Sequence, residues 1–299
     1  MTTCTTARHV DDSSWQSGLY SDHPLVGKIW SSATHEFIDP SELIENASRT
    51  KYLLLGEKHD NPDHHALQAL VLDELVNRER AGAVAFEMMN SDSQQRLDTI
   101  QEQSLSSLDD LKTYLQWDEE GWDWNFYGPM LQRVYVAGLP LKAANIDDAT
   151  MLQIYGGELP TELATVLSQV VMDKLNVDID ESHCGLLPES QFPAMVRVQQ
   201  SRDGTMAAAL GGANSDKVNI LIAGNYHVRK DLGVPNYLLA RQPMLAEKDI
   251  MTISFSEVDP ETDNPADYLQ QFTDINAYDY IWFTPAVSNE DYCASLQQN

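Results

Sequence analysis

The stretch "LLLGEKHDNPDHHALQ", residues 53–68, decides how the chain is read. An apolar run ends in Gly56-Glu57, and His59, His64 and His65 follow at once. A strand that only packs needs neither feature, so the stretch reads as the entry to a ligand site. Helix-start signals come next. Asn61 suits the N-cap, Pro62 the first helical position and Asp63 the first turn. Leu67, Val71 and Leu75 then form a buried stripe, with His64 on the same face and His65 turned towards solvent. Glu57, His59 and His64 therefore stand at or just beyond the C-terminal end of a buried strand, where open α/β sheets bind ligands.

Working outward, Tyr52–Gly56, Ala83–Met88, Leu139–Asn145, Val218–Ala223, Ile250–Phe255 and Tyr280–Phe283 read as strands. Several are apolar on consecutive residues, as strands covered on both faces are. Helices are expected over Asp63–Arg80, Ser91–Gln101, Leu105–Gln116, Asn125–Ala137, Thr161–Lys174, Ala194–Leu210 and Pro235–Arg241. The alternation gives an α/β fold with a mainly parallel central sheet flanked by helices. About 70 residues separate the third strand from the fourth. They read as a helical insertion or cap over residues 147–212, with "DIDESHCGLLPESQFP" (178–193) as a loop inside it. The expected division is a flexible lead, 1–22, and a single domain, 23–299.

The other strand ends carry polar groups that match the first. Glu87 closes "GAVAFEMMN", Asn145 closes "LPLKAANIDD", and Thr284 closes "DYIWFTP". "VNILIAGNYHVRKDLGVP" ends in Gly224-Asn225-Tyr226-His227, followed by Arg229 and Lys230. A parallel sheet puts such ends on one rim, so Glu57, His59, Glu87, Asn225 and His227 are expected to meet at one pocket. Each alone has a blander explanation, a structural histidine or a carboxylate that caps or pairs. Arg202 and Asp203 fall within a helix, where pairing with each other is the favoured reading.

Lys plus Arg number 19 and Asp plus Glu 46, a formal net charge of −27. Such a surface repels nucleic acid and anionic membrane faces. No apolar run approaches the ~18–20 residues of a membrane span. Three cysteines, Cys4, Cys184 and Cys293, are too few and too scattered for a disulfide framework or a CxxC metal site. The lead "MTTCTTARHVDDSSWQSGLYSDHP" is polar, as a linker would be. Within it, Cys4 reads equally as a lipid-bearing cysteine or as a free thiol in a disordered tail.

A set of motifs resembles the ChaN family of iron-regulated haem-binding lipoproteins, in the haem-uptake/Tiki superfamily. They are "HPLVGKIW" (23–30), "LLLGEKHDNPDHHALQ" (53–68), "AFEMM" (85–89), "FYGPMLQRVYVAGLPLKAANI" (126–146), "HCGLLP" (183–188), "VQQSRDGTMA" (198–207), "AGNYHVRKDLGVP" (223–235) and "YIWFTP" (280–285). They stand in the family's order and cover nearly the whole chain from residue 23.

The resemblance implies an α/β fold, ferric haem and a homodimer holding cofacial haems, each iron taking a tyrosine while a histidine and a lysine engage the propionates. It implies a non-enzymatic role in iron uptake or haem handling, with a haem-uptake partner protein. The implied location is periplasmic or outer-membrane, with the membrane reached only through a lipid anchor.

Ferric iron accepts a phenolate or an imidazole, and propionates need cations or hydrogen-bond donors. Tyr226 and Tyr127 are the leading iron-ligand candidates among the rim tyrosines, which also include Tyr155 and Tyr237. Tyr226 stands where relatives often carry Gly. Lys58, Arg229 and Lys230 are candidates for the propionates and His183 for a ligand or propionate partner, within a pocket set that also holds Glu57, His59, His64, Glu87, Asn225 and His227. The competing class is a metal-dependent hydrolase, of Tiki-protease or erythromycin-esterase type. There Glu57, His59, Glu87 and His227 would hold a divalent metal ion or supply a carboxylate-oriented histidine base. No HExxH or GxSxG motif accompanies it.

Overall fold

The computed structural model describes residues 15–211, 216–290 and 293–294. Its strands are β1 Ile29–Ser31, β2 Glu36–Ile38, β3 Tyr52–Glu57, β4 Ala81–Asn90, β5 Leu141–Asn145, β6 Val218–Gly224, β7 Ile250–Glu257 and β8 Tyr280–Thr284. They form one sheet in the order β2-β1-β8-β7-β3-β6-β4-β5. From β8 to β5 all neighbours are parallel, and the short β1–β2 hairpin closes one edge antiparallel. The helices are α1 Pro40–Ala47, α2 Pro62–Asn77, α3 Gln94–Asp98, α4 Leu108–Leu115, α5 Trp124–Val136, α6 Asp148–Gly156, α7 Thr161–Ala164, α8 Gln169–Ser182, α9 Phe192–Leu210 and α10 Val234–Arg241. The fold is therefore α/β with a mainly parallel sheet, as the strand–helix alternation leads one to expect.

Consecutive apolar residues are needed because both faces of the sheet are covered. Leu53 and Leu55 of β3 pack with Val71 and Leu75 of α2 and Leu131 of α5 on one face. Leu54 packs with Met206 of α9 and Leu238 of α10 on the other. Each strand thus feeds two cores, and an alternating pattern would leave one of them empty.

Direction reverses at the sheet centre. From β3 the chain moves to β4 on one side, and from β6 it moves to β7 on the other, although β3 and β6 are neighbours. A crevice opens beyond the carboxyl ends at such a switch point.

Several expectations need correction. Ser91–Gln101 is not one helix; 3-10 turns flank the short α3, in keeping with Ser and Asp side chains that compete for backbone groups. Thr161–Lys174 is split into α7 and α8, the latter started by Ser168, whose hydroxyl accepts from the Val171 N–H at 3.4 Å. The helix α8 runs on into the stretch read as a loop. Within the lead assigned as flexible, the Gln16 and Ser17 N–H groups each donate to Asp63 of α2 at 2.8 Å, and Leu19 pairs with Ala286. Three cysteines do not make a framework, but Cys184 and Cys293 are disulfide-bonded, with Cα atoms 5.3 Å apart. Cys4 lies outside the described residues. No helix among the described residues is long and apolar enough to cross a membrane.

Candidate ligand site

Glu57 ends β3 opposite Gly224, the last residue of β6. The turn that follows β6 folds back over β3. There the Asn225 N–H donates to the Glu57 carbonyl at 2.8 Å, and the Asn225 side-chain amide donates to the Phe255 carbonyl of β7 at 2.7 Å. Gly56 makes this approach possible: a Cβ there would stand 2.4 Å from Val228 Cγ2 and 2.5 Å from Asn225 Oδ1. The glycine before the glutamate thus lets one strand end carry the turn of the next.

The Glu57 carboxylate is buried. Its Oε1 accepts from the Tyr127 hydroxyl at 3.0 Å and from His59 Nδ1 at 2.6 Å, while Oε2 has no partner. The His59 side chain remains 44% exposed, and its Nε2 makes no hydrogen bond among the described residues. The Trp122 ring meets the His59 ring edge to face at 4.9 Å. Burial works against charge on His59, but Glu57, then Glu87, outweigh it and raise its pKa above the ordinary value. Burial, then the Glu57 carboxylate, holds the Tyr127 phenol far above its usual range. Tyr127 is 1% exposed, a core phenol committed to Glu57.

A second buried set lies beside the first. His227 spans two carboxylates, with Nε2 3.2 Å from Glu87 Oε1 and Nδ1 2.6 Å from Asp203 Oδ1. Glu87 Oε2 also accepts the Gly224 N–H at 2.8 Å. Burial would lower the His227 pKa, yet Glu87 and Asp203 push it up to about 10. Burial would raise Glu87, but His227 draws it down to about 2. Asp203, wholly buried, is pushed up, chiefly by desolvation. The expected Arg202–Asp203 pairing is not what forms: Asp203 turns inward to His227, and buried Arg202 Nε has no partner. Asp203 and Trp122 are the residues that sequence reasoning missed. The sole signal for Asp203 was the motif "VQQSRDGTMA" around it.

Above these groups lies an open cleft of about 500 Å³, lined by Glu57, Lys58, His59, His64, Asn225, Tyr226, His227, Arg229, Phe255 and Tyr278, among others. Glu87 lies just beneath it. His64 holds the rim together. Its Nδ1 accepts the Lys58 N–H at 2.9 Å, so its Nε2 carries the proton towards Thr284 Oγ1 at 2.9 Å. Burial, with His65 and Lys58 nearby, keeps His64 neutral by lowering its pKa well below the ordinary value. Lys58 pairs with Glu257 at 3.0 Å and Asp60 at 3.4 Å. Arg229 forms a two-pronged pair with Asp231 at 2.9 and 2.6 Å. The Tyr226 hydroxyl donates to Asp178 of α8 at 2.7 Å, and burial, then Asp178, raises its pKa.

Other candidates lie elsewhere. Lys230 points to the opposite end of the sheet, where it pairs with Asp279 at 2.7 Å and lines a different hollow. His183 caps α8, with Nδ1 2.7 Å from the Ile179 carbonyl. Tyr155 bonds Gln191, and Tyr237 is wholly buried on α10. Asn145 ends the edge strand β5, two strands beyond β6. His65 is buried rather than solvent-facing, because Phe126 of α5 stacks on it at 4.5 Å. Among the described residues no three His, Cys, Asp or Glu side chains are grouped to hold a metal ion.

Comparison with known proteins agrees with this architecture. A structure described as cofacial heme binding to ChaN of Campylobacter jejuni is 26% identical, with a TM-score of 0.70 over 85% of this chain and 95% of that one. An erythromycin esterase mutant is 14% identical, with a TM-score of 0.47 over 85% and 94% of the two chains. A MARTX toxin effector domain from Vibrio vulnificus is 13% identical, with a TM-score of 0.43 over 72% and 35%. The last two are too distant to inform function. No curated protein matches. The model of one family, described as "Haem-binding uptake, Tiki superfamily, ChaN", matches residues 43–238, and the chain belongs to that family.

Proposed function

We propose that this chain binds ferric haem in the cleft beyond β3, β6 and β7, as a haem-handling protein and not as an enzyme. The observation that carries the reading is the make-up of the cleft. Haem asks for an iron ligand, a flat apolar seat and partners for two propionates. Tyr226, Tyr268 and Tyr278 offer the seat, and Lys58 and Arg229 line the same cleft as cations. The buried Glu57 Oε2, which has no hydrogen-bond partner beneath the cleft, supports the reading.

A planar ligand in so open a cleft needs a second wall. A second copy of the chain supplies it by symmetry, which makes the working form a homodimer. A further haem-uptake protein passes haem to it or receives haem from it. The chain works outside the cytoplasm, in the periplasm or at the outer membrane, held by lipid at Cys4. The Cys184–Cys293 bridge supports this, because such bonds persist where thiols are oxidised.

An absorption titration of the metal-free protein with haemin, paired with metal analysis of the protein as purified, tests the reading. The expected result is saturable binding at one haem per chain. Haemin binding no better than to an unrelated acidic protein, with a divalent metal that co-purifies and is lost in Glu57→Gln, overturns it in favour of a hydrolase.

A further inference from the structure

The cap helix α8 has three faces in different surroundings. Val171 and Leu175 are buried in the core shared with Val196 and Met206 of α9. Asp178 turns to the cleft and accepts the Tyr226 hydroxyl at 2.7 Å. The third face points outward, and helical spacing puts positions 170, 173, 174 and 177 on it. Val170 is 62% and Val177 50% exposed, and Asp173 between them is exposed too. Two β-branched residues seven apart on a solvent face cost helix propensity and bury nothing. Nothing among the described residues covers this stripe.

We propose that this face of α8 is where a second copy of the chain docks, helix against helix, about a two-fold axis passing between positions 173 and 174. The proposal names the contact behind the second wall and rests on the haem reading for its purpose. The sequence is self-complementary about that axis. In an antiparallel pair Val170 of one copy meets Val177 of the other, and Asp173 meets Lys174, each contact occurring twice. A parallel pair would set Asp173 against Asp173 and Lys174 against Lys174, which like-charge repulsion disfavours. Both charged groups have capacity left. Lys174 lies against Asp178 of its own helix but has three donors, and Asp173 accepts the Gln169 amide on one oxygen only. An anionic lipid surface is a poor occupant, because α8 carries Asp173, Asp178, Asp180 and Glu181 against the one Lys174.

A helix of 14 residues is about 21 Å long, and one such pair falls short of the ~800 Å² per partner of a stable interface. Pairing through α8 alone is therefore weak, and a ligand closed between two clefts completes it. Asp178 joins the two events, since the helix that docks also holds the Tyr226 wall of the cleft.

The test uses haem-free protein, so that it stands apart from haem binding. Asp173→Cys, made with Cys4→Ser to remove the remaining thiol, puts a sulfur beside the axis and should cross-link copy to copy under mild oxidation. Asp109→Cys in the same background, on α4 across the sheet, should cross-link far more slowly. Sedimentation velocity in added salt should show a weak dimer. Val177→Glu should weaken it at least ~10-fold, as burial of an unpaired charge does. Asp173→Lys and Lys174→Asp should each weaken it, and the two together should restore it, which no interface away from this axis would do. Circular dichroism of each variant excludes loss of the helix as the cause. A cross-link at 173 no faster than the control, or a dimer untouched by Val177→Glu and by both single charge changes, overturns the proposal. If the chain pairs through α8 yet takes up no haemin, the haem reading falls and this face stands.

Discussion

Glu57 is the residue on which the site turns. One carboxylate oxygen receives two hydrogen bonds and the other none, inside a fully buried side chain. Tyr127→Phe removes one donor from that oxygen and leaves His59 in place. We expect a loss of about 1–3 kcal/mol in chemical denaturation, the cost of removing a bond to a buried charged group. An unchanged haemin spectrum should accompany it, against the sequence reading of Tyr127 as an iron ligand. Glu57 and His59 were legible because a glycine-bearing apolar run ends in polar residues, which packing alone does not explain. Burial of His65 was not legible, since Phe126, which covers it, lies far along the chain. Lys230 was misplaced for a related reason: a turn sits between it and the strand, and the chain has already reversed.

Among the elements, the Glu87–His227–Asp203 group joins β4, the turn after β6, and α9 in one buried chain of charge. Asp203→Ala strands part of the imidazolium and is expected to cost about 3–5 kcal/mol. The pH dependence has two limbs. Glu87 is depressed from 4.5 to about 2, so its contribution is complete above 4.5 and is lost as pH falls towards 2. His227 is raised from 6.5 to about 10, so its contribution is complete below 6.5 and is lost as pH rises through 10. Denaturant midpoints should fall on both sides, on the acid side also through His64, whose lowered pKa costs stability as pH drops below 6.5, and Asp203→Ala should flatten the alkaline limb. The start of α2 is a second test. Asn61 caps the Asp63 and His64 N–H groups and also donates to Glu257 at 2.9 Å. Asn61→Ala should cost about 1–3 kcal/mol in thermal or denaturant melts. That cap was readable because its rule is local. Asp203 was not, because a helix residue's long-range partner depends on how α9 lies across the sheet, which no periodicity states.

Over the whole molecule, consecutive apolar strands made the buried parallel sheet readable, while the strand order and its reversal between β3 and β6 come from packing of elements far apart in sequence. The disulfide was unreadable for the same reason: it closes across 109 positions. Closing so long a loop is worth about 4–5 kcal/mol on the entropic account, so Cys184→Ser should lower the denaturant midpoint markedly. The charge of −27 makes two copies repel. Self-association, followed by sedimentation with haemin bound, should therefore strengthen as added salt shortens the screening length from about 30 Å to about 10 Å. The measurement that bears most directly on the haem site is an iron-edge anomalous difference map from crystals of the haemin-loaded protein. The account expects the iron peak in the cleft at the ends of β3 and β6. An iron peak away from that cleft, or none in crystals of protein shown to be fully loaded, would contradict it.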